Sequence, residues 1–577
     1  MTQRNVSRRL LLRGAASAAA LGALHWTPAF RIAVASAAST IAAPPNALQG
    51  ISIYQQAFRN WSGEIALDGL WTAAPSSPDD VVALANWAHE NGWQLRPRGH
   101  GHNWSPLVVP PGTRANVLLV DTTQHLTAVT VHKGAPASVT AQAGVSMESL
   151  LQILEDAGYG VTACPAPGDL TLGGVLAIDG HGTAIPARGE RLTPGHTFGS
   201  ISNLVIALTA VVWNEGANRY ELKTFHRSDP EIGAFLVHLG RAFITEAVLR
   251  VGENKRLRCQ SSYAILADDM FAPPSKAGPH AFANLVEGSG RVEAIWFPFT
   301  PAPWLKVWSV APARPWSSRE VCHPFNYPFS DSLPQPVSDL ISKVTRGASE
   351  LTPVFENAQM GLVAAGLIAT ASLDIWGWSK DVMLYVRPTT LRVTANGYAI
   401  LTNRRNIQRV VSDFYAYYKK ALRTYQEKCR YPMNGPLEIR VTGLDDPADA
   451  LVPGAVAPRL SAVRPRRDHP EWDVAVWLDI LTLSGTAHAQ PFYRETEAWI
   501  LSNYTGSYAA VRPEWSKGWG YDGKSAWSDP TILGTTIPNA YRAGQPADEN
   551  WDAAIATLDA YDPHRVFTNT FLDRLLV

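Results

Sequence analysis

The 577-residue chain has no excess of either charge: Lys plus Arg and Asp plus Glu stand at 50 each. That balance, with no basic stripe, excludes the electrostatic footprint of a nucleic-acid binder. Cysteine is scarce. Cys164, Cys259, Cys322 and Cys429 are far apart and form no CxxC pair, which excludes a zinc ribbon and a dense disulfide framework. No HExxH motif follows any histidine cluster, and there is no internal repeat. No run beyond the N-terminus reaches the roughly 18 apolar residues of a membrane span. The nearest, MGLVAAGLIATAS from Met360 to Ser372, is too short; it is expected to be a buried helix, with a lipid-touching surface as the alternative.

What is present is a globular composition, with 46% hydrophobic and 17% charged residues, at a length that requires two or more domains. Twenty Trp and 17 Phe suit a large apolar cavity and a generous core equally. The first 40 residues stand apart. Arg8 and Arg9, with Leu11 and Leu12, precede an Ala/Leu-rich run and the small residues Ala35-Ser36-Ala37. They resemble a twin-arginine export signal over residues 1–40, which predicts a secreted or periplasmic protein exported already folded.

From Ile51 to Val251, helical and strand patterns alternate. Ser77 reads as an N-cap with Pro78 at the first helical position, Asp80 in capping-box register and Gly92 as the stop. QLRPRG then reads as a short strand, so GHGH occupies its C-terminal turn. A second strand, SVTAQAG, runs into a helix capped by Ser146, and DLTLGGVLAIDGHGT, from Asp169 to Thr183, reads as a glycine turn followed by a short buried helix. ISNLVIALTAVVW reads as one or two strands. After Ser262 the texture changes to longer apolar strands, Pro-rich joins and one long helix, NIQRVVSDFYAYYKKALRTYQEK, while the last stretch, YDPHRVFTNTFLDRLL, is expected to dock back on the first domain.

Alone, GHGH would serve as a metal chelate or as an ordinary turn. The ordered set is more specific: a capped helix, RPRGHGHNWSP, a strand, TLGGVLAIDGHGT, then a long apolar strand. It resembles the FAD-binding domain of the vanillyl-alcohol oxidase family of flavoproteins, and DPHRVFTNTFLDRLL resembles the closing segment of that family's aldonolactone-oxidase branch. Backbone N–H groups on two Gly-rich turns are what a diphosphate requires. The resemblance implies an α+β fold: an FAD-binding domain of two α/β subdomains over 45–260, a large substrate domain of antiparallel sheet plus helices over 261–530, and a returning segment over 531–577. It implies FAD joined covalently through His102, with Arg98, Gly99, His100, Gly101, Asn103, Gly173, Gly174, Gly180, His181, Gly182 and Asn569 around it. A second attachment through Cys164 does not fit the spacing to Gly173, and no job is assigned to His100.

In PLEIRVTG, Glu438, Arg440 and Thr442 share one strand face while Leu437, Ile439 and Val441 share the other. An exposed ion pair is one reading. The resemblance implies the other, an acid and an arginine beside the flavin, with Arg440 directed at developing negative charge. Glu293, on the strand face of Ile295, Phe297 and Phe299, is a second candidate for the base; among aromatics its carboxyl is expected to resist ionisation. PEWSKGWGY resembles an HWGK-like substrate-side element of the family, with Lys517 matching and Trp515 and Ser516 departing. Branch members oxidise sugar lactones, polyols or, in bacterial type II enzymes, a sterol. A sugar needs many polar partners, whereas a sterol needs one polar end and a long apolar channel. The aromatic strands favour the sterol, with dioxygen as acceptor and hydrogen peroxide as product; sugar alcohol or aldonolactone oxidation is the alternative.

Overall fold

The computed structural model describes residues 42–46, 48–114, 116–330, 334–522 and 524–577; the leader that carries the export reading lies outside them. The first subdomain is a four-stranded sheet of β1 (Ser52–Arg59), β2 (Ala66–Ala74), β3 (Gln94–Arg98) and β4 (Val117–Asp121), in the order β1-β2-β4-β3. The Pro78–Asn91 helix crosses between β2 and β3. Its capping box is complete, with Ser77 and Asp80 bonding each other's backbone N–H, and Gly92 closes it at φ 66°. The second subdomain contains β5 (Val129–His132), β6 (Ala137–Gln142), β7 (Tyr159–Gly160), β8 (Val205–Asn214), β9 (Arg219–His226) and β10 (Phe243–Glu253), all antiparallel. Ser146 caps the Met147–Asp156 helix as the sequence pattern predicts, and Thr171 caps the Leu172–Ala177 helix, whose first turn contains Gly173 and Gly174. The stretch from Ile201 forms one strand, β8, entered through a single 3-10 turn, Ile201–Leu204.

The larger sheet has nine strands: β11 (Arg256–Ser262), β12 (Arg291–Trp296), β13 (Trp304–Val310), β14 (Arg319–Glu320), β15 (Asp374–Trp378), β16 (Thr394–Thr402), β17 (Leu437–Gly443), β18 (Val474–Thr482) and β19 (Ala509–Pro513). Their order is β14-β15-β11-β13-β12-β17-β18-β16-β19. It takes its first strand from Arg256, inside the segment assigned above to the FAD domain. The long Ile407–Gln426 helix and the Ala489–Asn503 helix cover one face, where Trp296 meets Tyr418 and the Tyr493 hydroxyl donates to the Ile480 carbonyl. The opposite face looks toward the FAD-binding subdomains.

The C-terminal segment returns to the first sheet as expected. Leu95 N–H donates to the Val566 carbonyl at 2.8 Å, and the buried Arg96 guanidinium donates to the Phe567 carbonyl at 2.7 Å. The expectation for Met360 to Ser372 is corrected. These residues extend the Thr352–Ala369 helix, of which only one stripe, with Phe355, Val363, Gly366 and Leu367, is buried. Ile368 is 55% exposed, so the segment is a half-buried helix with an uncharged outer face rather than a buried one. A Cβ on Gly366 would overlap the Phe329 ring, so this stripe packs close; nothing packs on the other side among the described residues.

Candidate active site

The two glycine turns meet between the FAD-binding subdomains and the nine-stranded sheet. A Cβ on Gly99 would lie 2.4 Å from Thr171 Oγ1, the cap of the second turn's helix, and Gly101 has φ +75°. A Cβ on Gly173 would lie 2.9 Å from Ala143 Cβ, while Gly174 N–H donates to Thr171 Oγ1. Only glycine lets the two turns close to this distance. Between these turns and the large sheet lies a cavity of about 310 Å³. Arg98, Gly99, His100, Gly101, His102, Asn103, Gly173, Gly174, Gly180 and His181 all line it. Arg98 is held by Asp121 at 2.8 Å, and Asn103 closes its own turn on the Ser105 carbonyl at 2.5 Å.

Two flavin-side expectations are placed elsewhere. Asn569 is not on the cavity wall. Its amide donates to the Leu107 and Val108 carbonyls at 3.1 and 3.2 Å and its oxygen caps Phe571 and Leu572, so it pins the chain that follows GHGH. Gly182 lines a smaller pocket behind His181 and Arg440.

The two histidines of GHGH are unequal. His100 is exposed, whereas His102 is stacked on Trp61 with centroids 3.7 Å apart. Burial, reinforced by the cations Lys517 and Arg392, pushes the His102 ring down to about 3, so it is neutral. Asp169 Oδ1 lies 3.9 Å from His102 Nδ1, too far for a hydrogen bond, and with the ring neutral there is no ion pair. The outcome is a buried, uncharged ring nitrogen with no hydrogen-bond partner. That is the donor a covalent bond to a flavin would use, so the residues present fit FAD. His181 is also neutral, brought to about 4 by burial; it bonds the Gly182 carbonyl and stacks on Trp477 at 3.7 Å.

The opposite wall is the nine-stranded sheet, and its register assembles the charged groups. One lateral row runs Lys306, Glu293, Arg440, Trp477 across β13, β12, β17 and β18; the adjacent row on the same face runs Glu438, Asp479, Gly397 across β17, β18 and β16. Glu438 and Arg440 thus face the cavity while Leu437, Ile439 and Val441 enter the core, as the alternation predicts. Arg440 does not depend on Glu438 for its partner: its guanidinium pairs with Asp479. Tyr385 donates to Glu293 Oε2 at 2.6 Å. Glu293 therefore sits among a tyrosine hydroxyl and two cations as well as aromatic rings. Lys517 Nζ lies 3.8 Å from Glu514 Oε1, 4.0 Å from Asp479 Oδ2 and 4.1 Å above the Trp104 ring.

Burial and the neighbouring Glu293 raise the Glu438 carboxyl, whereas Lys517 and Arg440 outweigh burial at Glu514 and hold it low. Four carboxylates (Glu293, Glu438, Asp479, Glu514) face three cations (Arg440, Lys517, Lys306). With one acid in excess, the carboxylates compete for the cations, and Glu438 is the one whose proton affinity burial and Glu293 raise. Asp479, Glu514, Lys306, Tyr385 and Trp61 are additions to the residues expected from sequence. A signal for two of them exists: Asp479 in VAVWLDILT and Lys306 in WLKVWSV are lone charges inside apolar strands, the pattern that singled out Glu293, Glu438 and Arg440.

Leu170, Ile178, Val386, Leu391, Val393 and Leu481 add an apolar stretch to the lining. Residues 71–190 match the model of an FAD binding domain, and residues 256–577 match that of the cholesterol oxidase substrate-binding domain. Among solved structures, a solvent-stable cholesterol oxidase is 58% identical with a TM-score of 0.92, covering 93% of this chain and 100% of that one. A histidine-to-alanine variant of the Brevibacterium sterolicum cholesterol oxidase is 46% identical with a TM-score of 0.91, covering 93% and 100%. Curated relatives are more distant. A D-arabinono-1,4-lactone oxidase of Candida glabrata is 27% identical over 34% of each chain, and the mitochondrial L-galactono-1,4-lactone dehydrogenase of Arabidopsis thaliana is 24% identical over 45% of this chain and 37% of that one. The chain thus spans little more than a third of the curated relatives it matches. With both domain models matched and the solved cholesterol oxidases aligned over nearly its whole length, this chain belongs to the FAD-binding cholesterol oxidase family.

Proposed function

We propose that the protein oxidises the 3β-hydroxyl of cholesterol to a ketone, isomerises the product to cholest-4-en-3-one, and passes the electrons to dioxygen, releasing hydrogen peroxide. The observation that carries this reading is the distribution of polarity in the cavity: charged groups converge on the sheet side, the glycine turns and their histidines form the flavin side, and Leu170, Ile178, Val386, Leu391, Val393 and Leu481 supply an apolar stretch. One hydroxyl at the end of a rigid hydrocarbon fits that distribution, whereas a sugar would leave most of its hydroxyls unpaired.

FAD, held by the two glycine turns and bonded through His102 Nδ1, supplies the hydride acceptor and the route to dioxygen. The chain's own groups do the rest. The Glu293–Glu438 pair takes the hydroxyl proton: burial and the negative charge of Glu293 raise the proton affinity of Glu438, which suits it to act as a general base. Arg440, oriented by Asp479, directs guanidinium N–H groups at the oxygen as negative charge develops there. Lys517, held by Glu514 and the Trp104 face, adds a second positive charge on that side. Moving the Δ5 double bond requires a proton to leave one carbon and reach another, a transfer we assign to the same carboxyl pair.

Peroxide release measured with cholesterol, a sugar alcohol, an aldonolactone and no substrate tests the reading. Turnover confined to the sugar compounds would sink it, and silence with all four would leave an FAD-loaded binding protein. Export through the twin-arginine route belongs to the same proposal; processing of residues 1–40 in a secreting host checks it. The uncharged outer face of the Thr352–Ala369 helix, whose inner side packs near Leu391 and Val393 at the cavity, is the surface we assign to a sterol-bearing bilayer. Ile368→Asp should then reduce flotation with cholesterol vesicles and leave turnover of detergent-dispersed cholesterol unchanged; equal flotation would remove that assignment.

A further inference from the structure

Lys306 is a charged group of the sheet face that the chemistry above does not use. It occupies the middle of β13 between Trp304 and Trp308 and points at β12, directly across from Glu293. Its Nζ is buried, makes no hydrogen bond, and lies 3.9 Å from Glu293 Oε2. Aromatic rings enclose it, with the Tyr385 centroid at 3.2 Å, Trp304 at 4.3 Å and Tyr327 at 4.5 Å.

A dry ammonium without hydrogen bonds is among the most costly groups a core can hold. Ring faces offset part of that cost through cation–π attraction. The rest must come from an anion, and Glu293 is the carboxylate in reach. The other groups facing this spot are Cys259 from β11, Glu438 and Arg440 from β17, the Tyr327 and Tyr385 hydroxyls, and, farther off, Lys517. Without Lys306, only Arg440 and Lys517 would face four carboxylates.

We propose that Lys306 is a positioning residue for the reaction: the counter-cation that, through Glu293, keeps the Glu293–Glu438 pair able to accept the alcohol proton. Burial brings the ammonium down to about 8, so it is charged at neutral pH. Its charge opposes the rise that burial and Glu293 impose on the Glu438 carboxyl. Removing that charge raises the proton affinity of the pair, so the acid limb of the rate profile moves to higher pH.

The proposal rests on the reading that this pair is the base, and one titration separates the two. Full-length holoenzyme is reduced anaerobically by cholesterol in a stopped-flow instrument across pH, with infrared difference spectra recording the protonated-carboxyl band. For Lys306→Met the acid limb should move up by about 1–2 pH units, a tenfold to hundredfold slower reduction below it, with rates converging above it. The carboxyl band should persist to correspondingly higher pH. Lys306→Arg should keep the limb close to that of the wild type. A wild-type limb that Lys306→Met leaves in place, with the rate lowered evenly at all pH, would overturn the role of Lys306. A wild-type enzyme with no acid limb at all would overturn the base instead. If Lys306→Met yields no holoprotein, Lys306→Gln is read in the same way, and a limb and carboxyl band that stay where the wild type has them contradict the proposal.

Discussion

The two walls of the cavity are built on opposite principles. The flavin-side wall is glycine, backbone amide and histidine, and burial keeps its enclosed histidines, His102, His181 and His238, uncharged. The substrate-side wall is a sheet face carrying four carboxylates and three cations, most of them withdrawn from solvent. A preformed wall of N–H groups and close turns suits a cofactor that stays, because it binds by shape and dipole and needs no titrating group. A wall of competing charges suits a substrate that must give up a proton within a single turnover, because small changes in occupancy alter proton affinity. The difference teaches where each function can be broken without the other.

The largest effect should come from the flavin wall. His102→Ala removes the unpartnered Nδ1, and the yellow colour that stays with acid-precipitated wild type should wash out completely; wild-type colour that washes out equally would remove the covalent bond from the account. Next comes the charged wall. Arg440→Met should leave flavin content unchanged and slow anaerobic flavin reduction by about 10²–10³-fold, the size expected for losing a donor aimed at an oxyanion.

A matched pair of glycine substitutions sharpens the contrast. A Cβ on Gly397 would fall 2.7 Å from both Asp479 Oδ1 and Lys517 Cγ, so Gly397→Ala should displace the charged row and cost about tenfold in rate at full flavin loading. Gly173→Ala, crowding Ala143, should lower flavin loading while the rate per bound flavin holds. Loading and rate falling together in both variants would mean that the walls are not separable.

The smallest effect concerns acid. Burial depresses His181 to about 4 and His238 to about 3, below the usual histidine value. The unfolded chain therefore takes up these protons first, and stability present above about pH 6.5 falls as pH drops toward those values, by about 1–2 kcal/mol per histidine at pH 5. His238→Gln should flatten the fall in Tm between pH 7 and pH 5, measured by thermal unfolding of the holoprotein.

The same contrast explains how much could be read from the chain. The flavin wall is local in sequence: Ser77 to Gly92, RPRGHGHNW and TLGG each complete a turn or cap within a few residues, and their order carries the resemblance. Two of its expected members lie elsewhere: the Asn569 amide is spent on the Leu107 and Val108 carbonyls, and Gly182 lines the smaller pocket behind His181. The charged wall is lateral. Lys306, Glu293, Arg440 and Asp479 become neighbours only through strand register, and Glu514 and Tyr385 arrive from a turn and a loop. Period-two alternation says which face Glu438 and Arg440 share, but not that Asp479 takes the Arg440 guanidinium. Isolated charges inside apolar strands were the available signal, and following it to WLKVWSV and VAVWLDILT finds two further members of the wall. The Met360 to Ser372 helix was misjudged because apolar composition cannot tell a core from an apolar outer face.

The most direct test of the account is anaerobic mixing of the purified holoprotein with cholesterol while the visible flavin absorption is recorded. The account predicts that cholesterol bleaches the flavin in the wild type, that Arg440→Met bleaches at least a hundredfold more slowly with the same flavin content, and that an aldonolactone leaves the absorption unchanged. Bleaching by the aldonolactone and not by cholesterol, or equal rates in the two proteins, would contradict it.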